Sequence, residues 1–250
     1  MAAMLREIEQ YWARRADSYS ELVNQELGND SEARWMRAML PRLPKAAGAK
    51  VLDIGTGPGF FAIALARRGY DVTAVDYTPE MLDRARANAG GLAERIEFRR
   101  MDAHSLDFPD ARFDAIVTRN LTWNLERPAD AYAEWRRVLK PGGVLLNFDA
   151  GWYNYLFDEE KGAGYARDRR NVAEEQVFDF ESYPESHVME DISRRLVMSR
   201  AQRPQADLRM LEAAGFSSAE ADTGIWRQIW DEVEKLNYAS SPMFMLRAVK

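Results

Sequence analysis

The stretch from Val51 to Asp76 constrains the fold more than any other part of the chain. An apolar run closes on Asp53, a turn follows at Gly55-Thr56-Gly57-Pro58-Gly59, then come nine residues rich in helix formers, and a second apolar run closes on Asp76. Glycine lacks Cβ, so three glycines within five positions let the backbone turn sharply and lie flat against a ligand. The run Phe60 to Arg68 stops at Gly69, so the turn links a buried strand over Lys50 to Ile54 to a helix N-terminus, whose free amides are expected to face a crevice. Asp71 to Asp76 reads as a second strand, and its last acid can accept hydrogen bonds from two neighbouring ribose hydroxyls. Asp76 follows Asp53 by 23 residues, near the roughly 20 expected between a glycine turn and a ribose acid in a strand-helix-strand unit. Such a unit builds a nucleoside-binding cleft.

The glycine spacing separates two ligand types. A dinucleotide fingerprint G-x-G-x-x-G counted from Gly55 needs its third glycine at position 60, which Phe60 occupies. Pyrophosphate is therefore poorly served, whereas an acid at Asp53 just before the turn suits a ligand with a positive amino group, as S-adenosylmethionine has.

Val51-Leu52-Asp53-Ile54-Gly55-Thr56-Gly57-Pro58-Gly59 closely resembles the first motif of class I S-adenosylmethionine-dependent methyltransferases, the seven-stranded Rossmann-like superfamily. Further signposts follow in order: Ala74-Val75-Asp76, Met101-Asp102-Ala103, Phe113-Asp114-Ala115-Ile116-Val117, and Leu139-Lys140-Pro141-Gly142-Gly143. They cover residues 50 to 150, and the ordered set is more specific than the glycine turn alone. The resemblance implies an α/β fold: a mostly parallel seven-stranded sheet with one antiparallel strand and helices on both faces. The chain adds N-terminal cap helices and an insertion after strand five.

Composition sets bounds. The 250 residues suffice for one large α/β domain, and 46% hydrophobic content argues against disorder. No cysteine is present, excluding disulfides, thiolate metal sites and a cysteine nucleophile; His104 and His187 alone leave little for a histidine metal site, so no metal is expected. Net charge is −6, with Lys+Arg (34) interspersed among Asp+Glu (40), which disfavours a nucleic-acid partner. Without a long apolar segment, no membrane partner is expected and a cytoplasmic location is the default.

The chain reads as a single methyltransferase domain in four parts: 1–45 as cap helices, 46–150 as cofactor-binding core, 151–203 as a substrate-covering insertion and 204–250 as the rest of the core. Ile8, Trp12, Ala16, Tyr19 and Val23 fall at helical spacing, and a second helix carries Trp35, Met39 and Leu40 before Pro41 and Pro44. Thr78 and Pro79 read as a helix start. Strands are expected at Ile96–Arg100, Ala115–Thr118, Val144–Asp149, near Ala219–Thr223 and at Met243–Val249. Helices are expected at Ala129–Leu139, Gln205–Ala214 and around Trp230–Leu236, with Gly142-Gly143 as a turn.

In such sheets ligands sit beyond the carboxyl ends of the strands. The resemblance implies that Asp53, Gly55, Thr56, Gly57 and Gly59 face the methionine moiety and Asp76 the ribose. Tyr77 would flank the adenine, Asp102 accept from its amino group and the Ala103 amide reach a ring nitrogen. Arg119 and Asn120 fall on the methionine side, with Met81, Tyr11 and Tyr19 also counted as cofactor-binding. Asp76 and Asp102 also have a structural reading as turn residues that end strands. A lone exposed His104 reads as inert, and His187 as a weak candidate that the insertion could place over the cleft.

For the acceptor, Trp12, Trp123, Trp152, Tyr153 and Tyr155 suggest a closed aromatic pocket for a small or medium molecule, cationic or planar, although each taken alone also reads as packing. Amino-methylating enzymes acting on bases or glutamine often carry Asn or Asp, two prolines and an aromatic where this chain has Asn120-Leu121-Thr122-Trp123; both prolines are missing. The expected reaction is in-line methyl transfer from S-adenosylmethionine, yielding S-adenosylhomocysteine, to a small-molecule acceptor. Candidates for removing an acceptor proton are Asp149, Tyr153, His187 and bulk water. The alternatives are a non-catalytic protein that binds this cofactor for regulation and a macromolecular methyltransferase with an open basic cleft.

Overall fold

Short β-branched runs bounded by glycine turns become the strands, and the alternation of strand and helix dictates a parallel sheet. The computed structural model describes residues 2–45, 48–183 and 185–250, with Ala2 described by its backbone alone. The expected boundary at 45/46 touches residues outside that description, as does Pro184. Seven strands form one sheet: β1 (Lys50–Ile54), β2 (Asp71–Asp76), β3 (Ile96–Arg100), β4 (Phe113–Arg119), β5 (Leu139–Asp149), β6 (Ser218–Asp222) and β7 (Phe244–Val249), in the spatial order β3-β2-β1-β4-β5-β7-β6. The first five run parallel, and β7 is antiparallel to both β5 and β6. Strand order reverses between β1 and β4, which opens the crevice at their carboxyl ends.

The helices are α1 (Ala2–Gly28), α2 (Asp30–Met39), α3 (Phe60–Arg67), α4 (Pro79–Ala89), α5 (Pro128–Val138), α6 (Glu159–Glu174), α7 (Ser186–Ser193), α8 (Gln205–Ala213), α9 (Trp226–Ile229) and α10 (Glu232–Asn237). Each sheet face has its own apolar core. On one, Trp35 of α2 meets Phe60, Phe61 and Phe148 edge-on, with ring centroids 5.1–6.0 Å apart. On the other, Tyr132 and Trp135 of α5 pack with Phe113 and Leu211. A third, smaller cluster lies off the sheet, where Ile8 and Tyr11 of α1 meet Trp123, Met189, Ile192 and Leu196.

Four local expectations change. The Leu139–Gly143 stretch belongs to an irregular β5, since the register jumps from Phe113↔Leu139 to Ala115↔Val144 and the Gly142 amide bonds the Lys250 carbonyl. The helix expected around Trp230 divides into α9 and α10, because Asp231 caps a new helix with a reciprocal Glu234 bond. Thr78 occupies the N-cap of α4, but its hydroxyl makes no cap bond there. The amides of the glycine turn are largely not free: Gly55 and Thr56 donate to the Val75 carbonyl, Gly57 to Asp76, Gly59 to Thr56 and Ala62 to Asp53.

Candidate functional site

The loops after β1 to β4 meet α1 and the insertion around one continuous cavity of about 270 Å³. At one end β1 and the turn after it supply Asp53, Gly55, Thr56 and Gly57, and the end of β2, the residue after it and the first turn of α4 add Asp76, Tyr77 and Met81. Gly55 (φ +68°) has a local reason to be glycine: a Cβ there would lie 2.9 Å from Leu121 Cδ1. Gly59, expected on the methionine side, is not among the residues lining the cavity; its left-handed backbone (φ +94°) lets α3 approach Ala85 of α4, where a Cβ would lie 3.1 Å away.

Asp76 bridges two loops. Its Oδ2 accepts from the Gly57 amide at 2.9 Å and its Oδ1 from the Thr78 amide at 2.9 Å. A carboxylate has about four acceptor positions, so Asp76 can hold the turn and still receive two hydroxyls. Burial pushes its carboxyl up, against the pull of those amides. Asp53 is almost fully buried and accepts from Thr56 Oγ1 at 2.7 Å and the Ala62 amide at 3.0 Å. Burial raises its pKa to about 7, with the Thr56 and Ala62 hydrogen bonds opposing the shift.

Beyond β3, Asp102 and Ala103 line the same end. His104 lines it too, and its side chain is buried rather than exposed: Nδ1 lies 2.6 Å from Asp102 Oδ1, while Nε2 is buried without a partner. This bond is the main reason that the Asp102 carboxyl sits below its ordinary value. Beyond β4, Arg119 and Asn120 are on the cavity wall. The Arg119 guanidinium forms a bidentate pair with Glu26 of α1 at 2.9 and 3.0 Å and lies 4.5 Å from the Phe60 ring centroid, so its charge is already engaged. Asn120 adopts φ +55°, gives its amide to Phe148, and leaves Oδ1 buried without a partner.

The other end is aromatic. Tyr11, Trp12 and Arg15 come from α1, Trp123 from the loop after β4, Trp152 and Tyr153 from the segment after β5, Phe180, Glu181 and Tyr183 from the insertion, and Tyr238 from beyond α10; Tyr19, also of α1, lies at the first end, where its ring faces Gly57. Trp12 packs against Tyr11 and Tyr19, and Trp123 against Tyr153, with centroids 5.1–5.8 Å apart. The Tyr11 hydroxyl donates to that of Tyr183 at 3.0 Å, and Arg14–Glu185 and Glu7–Arg195 pairs also tie α1 to the insertion.

Three expected residues lie elsewhere. Asp149 is fully buried, accepting from Thr122, from the Trp123 amide at 2.9 Å and from the Ala150 amide at 2.8 Å, with Arg203 Nη2 3.1 Å away. So many donors hold the Asp149 side chain in place, away from the cavity. His187 is exposed on α7 and outside the cavity. Tyr155 turns away to stack on Tyr165 (4.0 Å, 6°) and to bond Glu190 at 2.7 Å. Sequence reasoning passed over Phe180, Glu181, Tyr183 and Tyr238, which lie outside any local motif. Arg15 lies between Trp12 and Tyr19 in the sequence of α1.

Residues 52–147 match the methyltransferase domain family. Over that stretch the chain carries a methyltransferase domain, and its sequence and fold resemble those of S-adenosylmethionine-dependent methyltransferases. A demethylmenaquinone methyltransferase from Deinococcus radiodurans is 38% identical over 56% of this chain and 60% of its own length. A ubiquinone/menaquinone biosynthesis C-methyltransferase from Roseobacter denitrificans is 35% identical over 50% of this chain and 52% of its own length. The chain thus spans little more than half the length of the curated relatives it matches. Among solved structures, a Methanococcus maripaludis protein provisionally described as an S-adenosylmethionine-dependent methyltransferase aligns with TM-score 0.62 over 95% of this chain and 93% of its own, at 23% identity, a likeness of fold. Among the described residues, no group of three or more His, Cys, Asp or Glu could hold a metal ion, and no helix is long and apolar enough to cross a membrane.

Proposed function

We propose that this chain transfers the methyl group of S-adenosylmethionine to a small molecule held at the aromatic end of the cavity. One observation carries the reading: the turn after β1, Asp76 and Asp102 share a single cavity with Trp12, Trp123, Trp152 and Tyr153. The relatives named for quinone methylation support a small-molecule acceptor.

The residues fit the cofactor. Asp76 keeps acceptor positions for a ribose, Asp102 and Ala103 suit the adenine edge, and the unpartnered Asn120 Oδ1 and His104 Nε2 await donors or acceptors. Asp53 and Gly57 suit the methionine side. When bound, S-adenosylmethionine supplies a methyl group on a sulfonium that is already an activated leaving group. The protein's part is then to orient the acceptor, hold it at near-attack distance and exclude water. Tyr153 serves as a wall: burial pushes its phenol well above the ordinary value, so it does not act as a base near neutral pH.

Calorimetry with S-adenosylhomocysteine, followed by incubation of protein and S-adenosylmethionine with a pooled small-metabolite library, tests the reading. Binding with methylated product of low mass is expected. Binding without turnover would favour a regulatory protein, and no binding would overturn the reading.

A further inference from the structure

The aromatic end contains one acid that the methyl-transfer reading leaves unused. Glu181 lines the cavity from the insertion, yet among the described residues its carboxylate has no hydrogen-bond or ion-pair partner. Two arginines are near enough to influence it, and neither pairs with it. Arg169 is committed to Asp179 and to Asn237, and Arg15 lies flat on the Tyr183 ring, 3.9 Å from its centroid. Aromatic side chains are prominent around the carboxylate: the phenols of Tyr11, Tyr153, Tyr155, Tyr165 and Tyr238 are raised mainly by burial, with the Glu181 charge adding to it, and Asp179 and Glu190 are its acidic neighbours. Tyr153 and Tyr238 share the cavity wall with it, together with Trp12, Phe180 and Tyr183.

A half-buried anion with cations nearby but none in direct contact is incompletely compensated, and the arrangement that offsets this cost is a cation entering from the cavity. Faces of Trp, Tyr and Phe attract the same ligand through their ring quadrupoles. From this juxtaposition we propose that the acceptor carries a basic amine, bound as an ammonium against Glu181 inside the aromatic wall, and that the reaction is N-methylation. The proposal rests on the methyl-transfer reading and names its acceptor class.

The chemistry balances without further reagents. An ammonium has no lone pair, so a Glu181 carboxylate oxygen takes one of its protons. The freed nitrogen pair forms the N–C bond to the methyl carbon as the C–S bond breaks, its electrons remaining on sulfur. The product nitrogen is again cationic, and Glu181 returns its proton to solvent. Burial holds the Glu181 carboxyl above its ordinary value, which moves it towards the range in which it can accept and release a proton.

The test uses the full chain loaded with S-adenosylhomocysteine and a probe that cannot be methylated. Choline, a quaternary ammonium, and 3,3-dimethylbutan-1-ol, its neutral isostere, are titrated by calorimetry into wild-type protein and Glu181→Gln. Choline is expected to bind the wild type roughly tenfold or more tighter than the isostere, with Glu181→Gln abolishing most of that preference and leaving S-adenosylhomocysteine affinity unchanged. In the metabolite pool, primary and secondary amines should gain the methyl group. Equal binding of choline and its isostere, or methylation of hydroxylated rings with amines untouched, would overturn the amine assignment while leaving methyl transfer standing. Failure of S-adenosylhomocysteine to bind would overturn the methyl-transfer reading, and the amine assignment with it.

Discussion

The two ends of the cavity are built on different principles. The end formed by β1, β2 and β3 comes from a single stretch of chain, and its shape is set by backbone: glycine conformations, strand ends and the amides that Asp53 and Asp76 gather in. The aromatic end is assembled from α1, the loop after β4, the insertion and the segment after α10, and its shape is set by side chains. One end tolerates little change of residue because the turn itself would move. The other can be rebuilt residue by residue on the same frame, which is how a shared fold comes to serve different acceptors.

That contrast implies a rigid seam between the ends, and Arg203 is where it can be broken hardest. Its guanidinium is almost fully buried and reaches Asp149 at 3.1 Å, Asp207 at 2.8 Å, Thr122 Oγ1 at 2.7 Å and the Ala150 carbonyl at 3.0 Å, anchoring the end of β5 to α8 and to the loop that carries Trp123. Arg203→Ala leaves two buried carboxylates uncompensated and should cost about 3–5 kcal/mol in denaturant unfolding. Asp149→Asn should likewise lose stability. If it retained full stability and lost only turnover, Asp149 would be a catalytic base after all.

Asp76→Ala sharpens the comparison at the backbone end. It removes the proposed ribose acceptor and the anchor of Gly57 and Thr78 together, so S-adenosylhomocysteine binding should weaken by about 100-fold or more. Tyr153→Ala, by contrast, should impair transfer and spare cofactor affinity. An unchanged affinity for Asp76→Ala by calorimetry would remove Asp76 from the cofactor.

The same division explains what could be read from sequence. Strand limits, the glycine turn and the Asp76 position follow from local patterns whose spacing is fixed by covalent geometry. Even there, the expectation of free amides failed, because Val75, Asp76, Thr56 and Asp53 take them up, and Gly59 turned out to serve helix packing. Trp12, Trp123, Trp152 and Tyr153 were found because large aromatics stand out, whereas Tyr155, chosen on the same ground, faces Tyr165. Glu181 and Tyr238 carry no local signal. Their nearness to Tyr153 depends on how a long insertion folds back over the sheet, and side-chain convergence of that kind is not encoded in spacing.

Acidity offers a milder probe of the backbone end. The folded chain holds Asp53 at a pKa of about 7 against an ordinary 3.8, so between those values it keeps a proton that the unfolded chain has lost. The stability this confers is complete below the ordinary value and disappears as pH rises through about 7. Glu234, also raised to about 7 by burial, acts in the same direction, whereas the lowered carboxyls of Asp102 and Glu134 exert their effect below the ordinary carboxylate range. Going from pH 6 to pH 8 should therefore destabilise the cofactor-free protein through Asp53 by about 1 kcal/mol, a fall in Tm of roughly 2–4 °C. Asp53→Asn should flatten that slope; an unaltered slope would mean that Asp53 is ionised throughout.

The smallest effect tests how the aromatic end is closed. Tyr11 and Tyr183 join α1 to the insertion through one hydroxyl–hydroxyl bond, supported by the Arg14–Glu185 and Glu7–Arg195 pairs. Both ion pairs are largely solvent-exposed and contribute little, so most of the directional restraint rests on the tyrosines. Tyr11→Phe keeps the ring in its apolar cluster and deletes only the donor, at a cost of about 1 kcal/mol in stability. Since Tyr11 lies on the helix that also presents Trp12, Arg15 and Tyr19, loosening that contact should raise the KM for the acceptor more than it lowers kcat. An equal fall in S-adenosylhomocysteine affinity would mean that α1 closes over both ends as one lid, and that the two halves of the cavity are not mechanically separate.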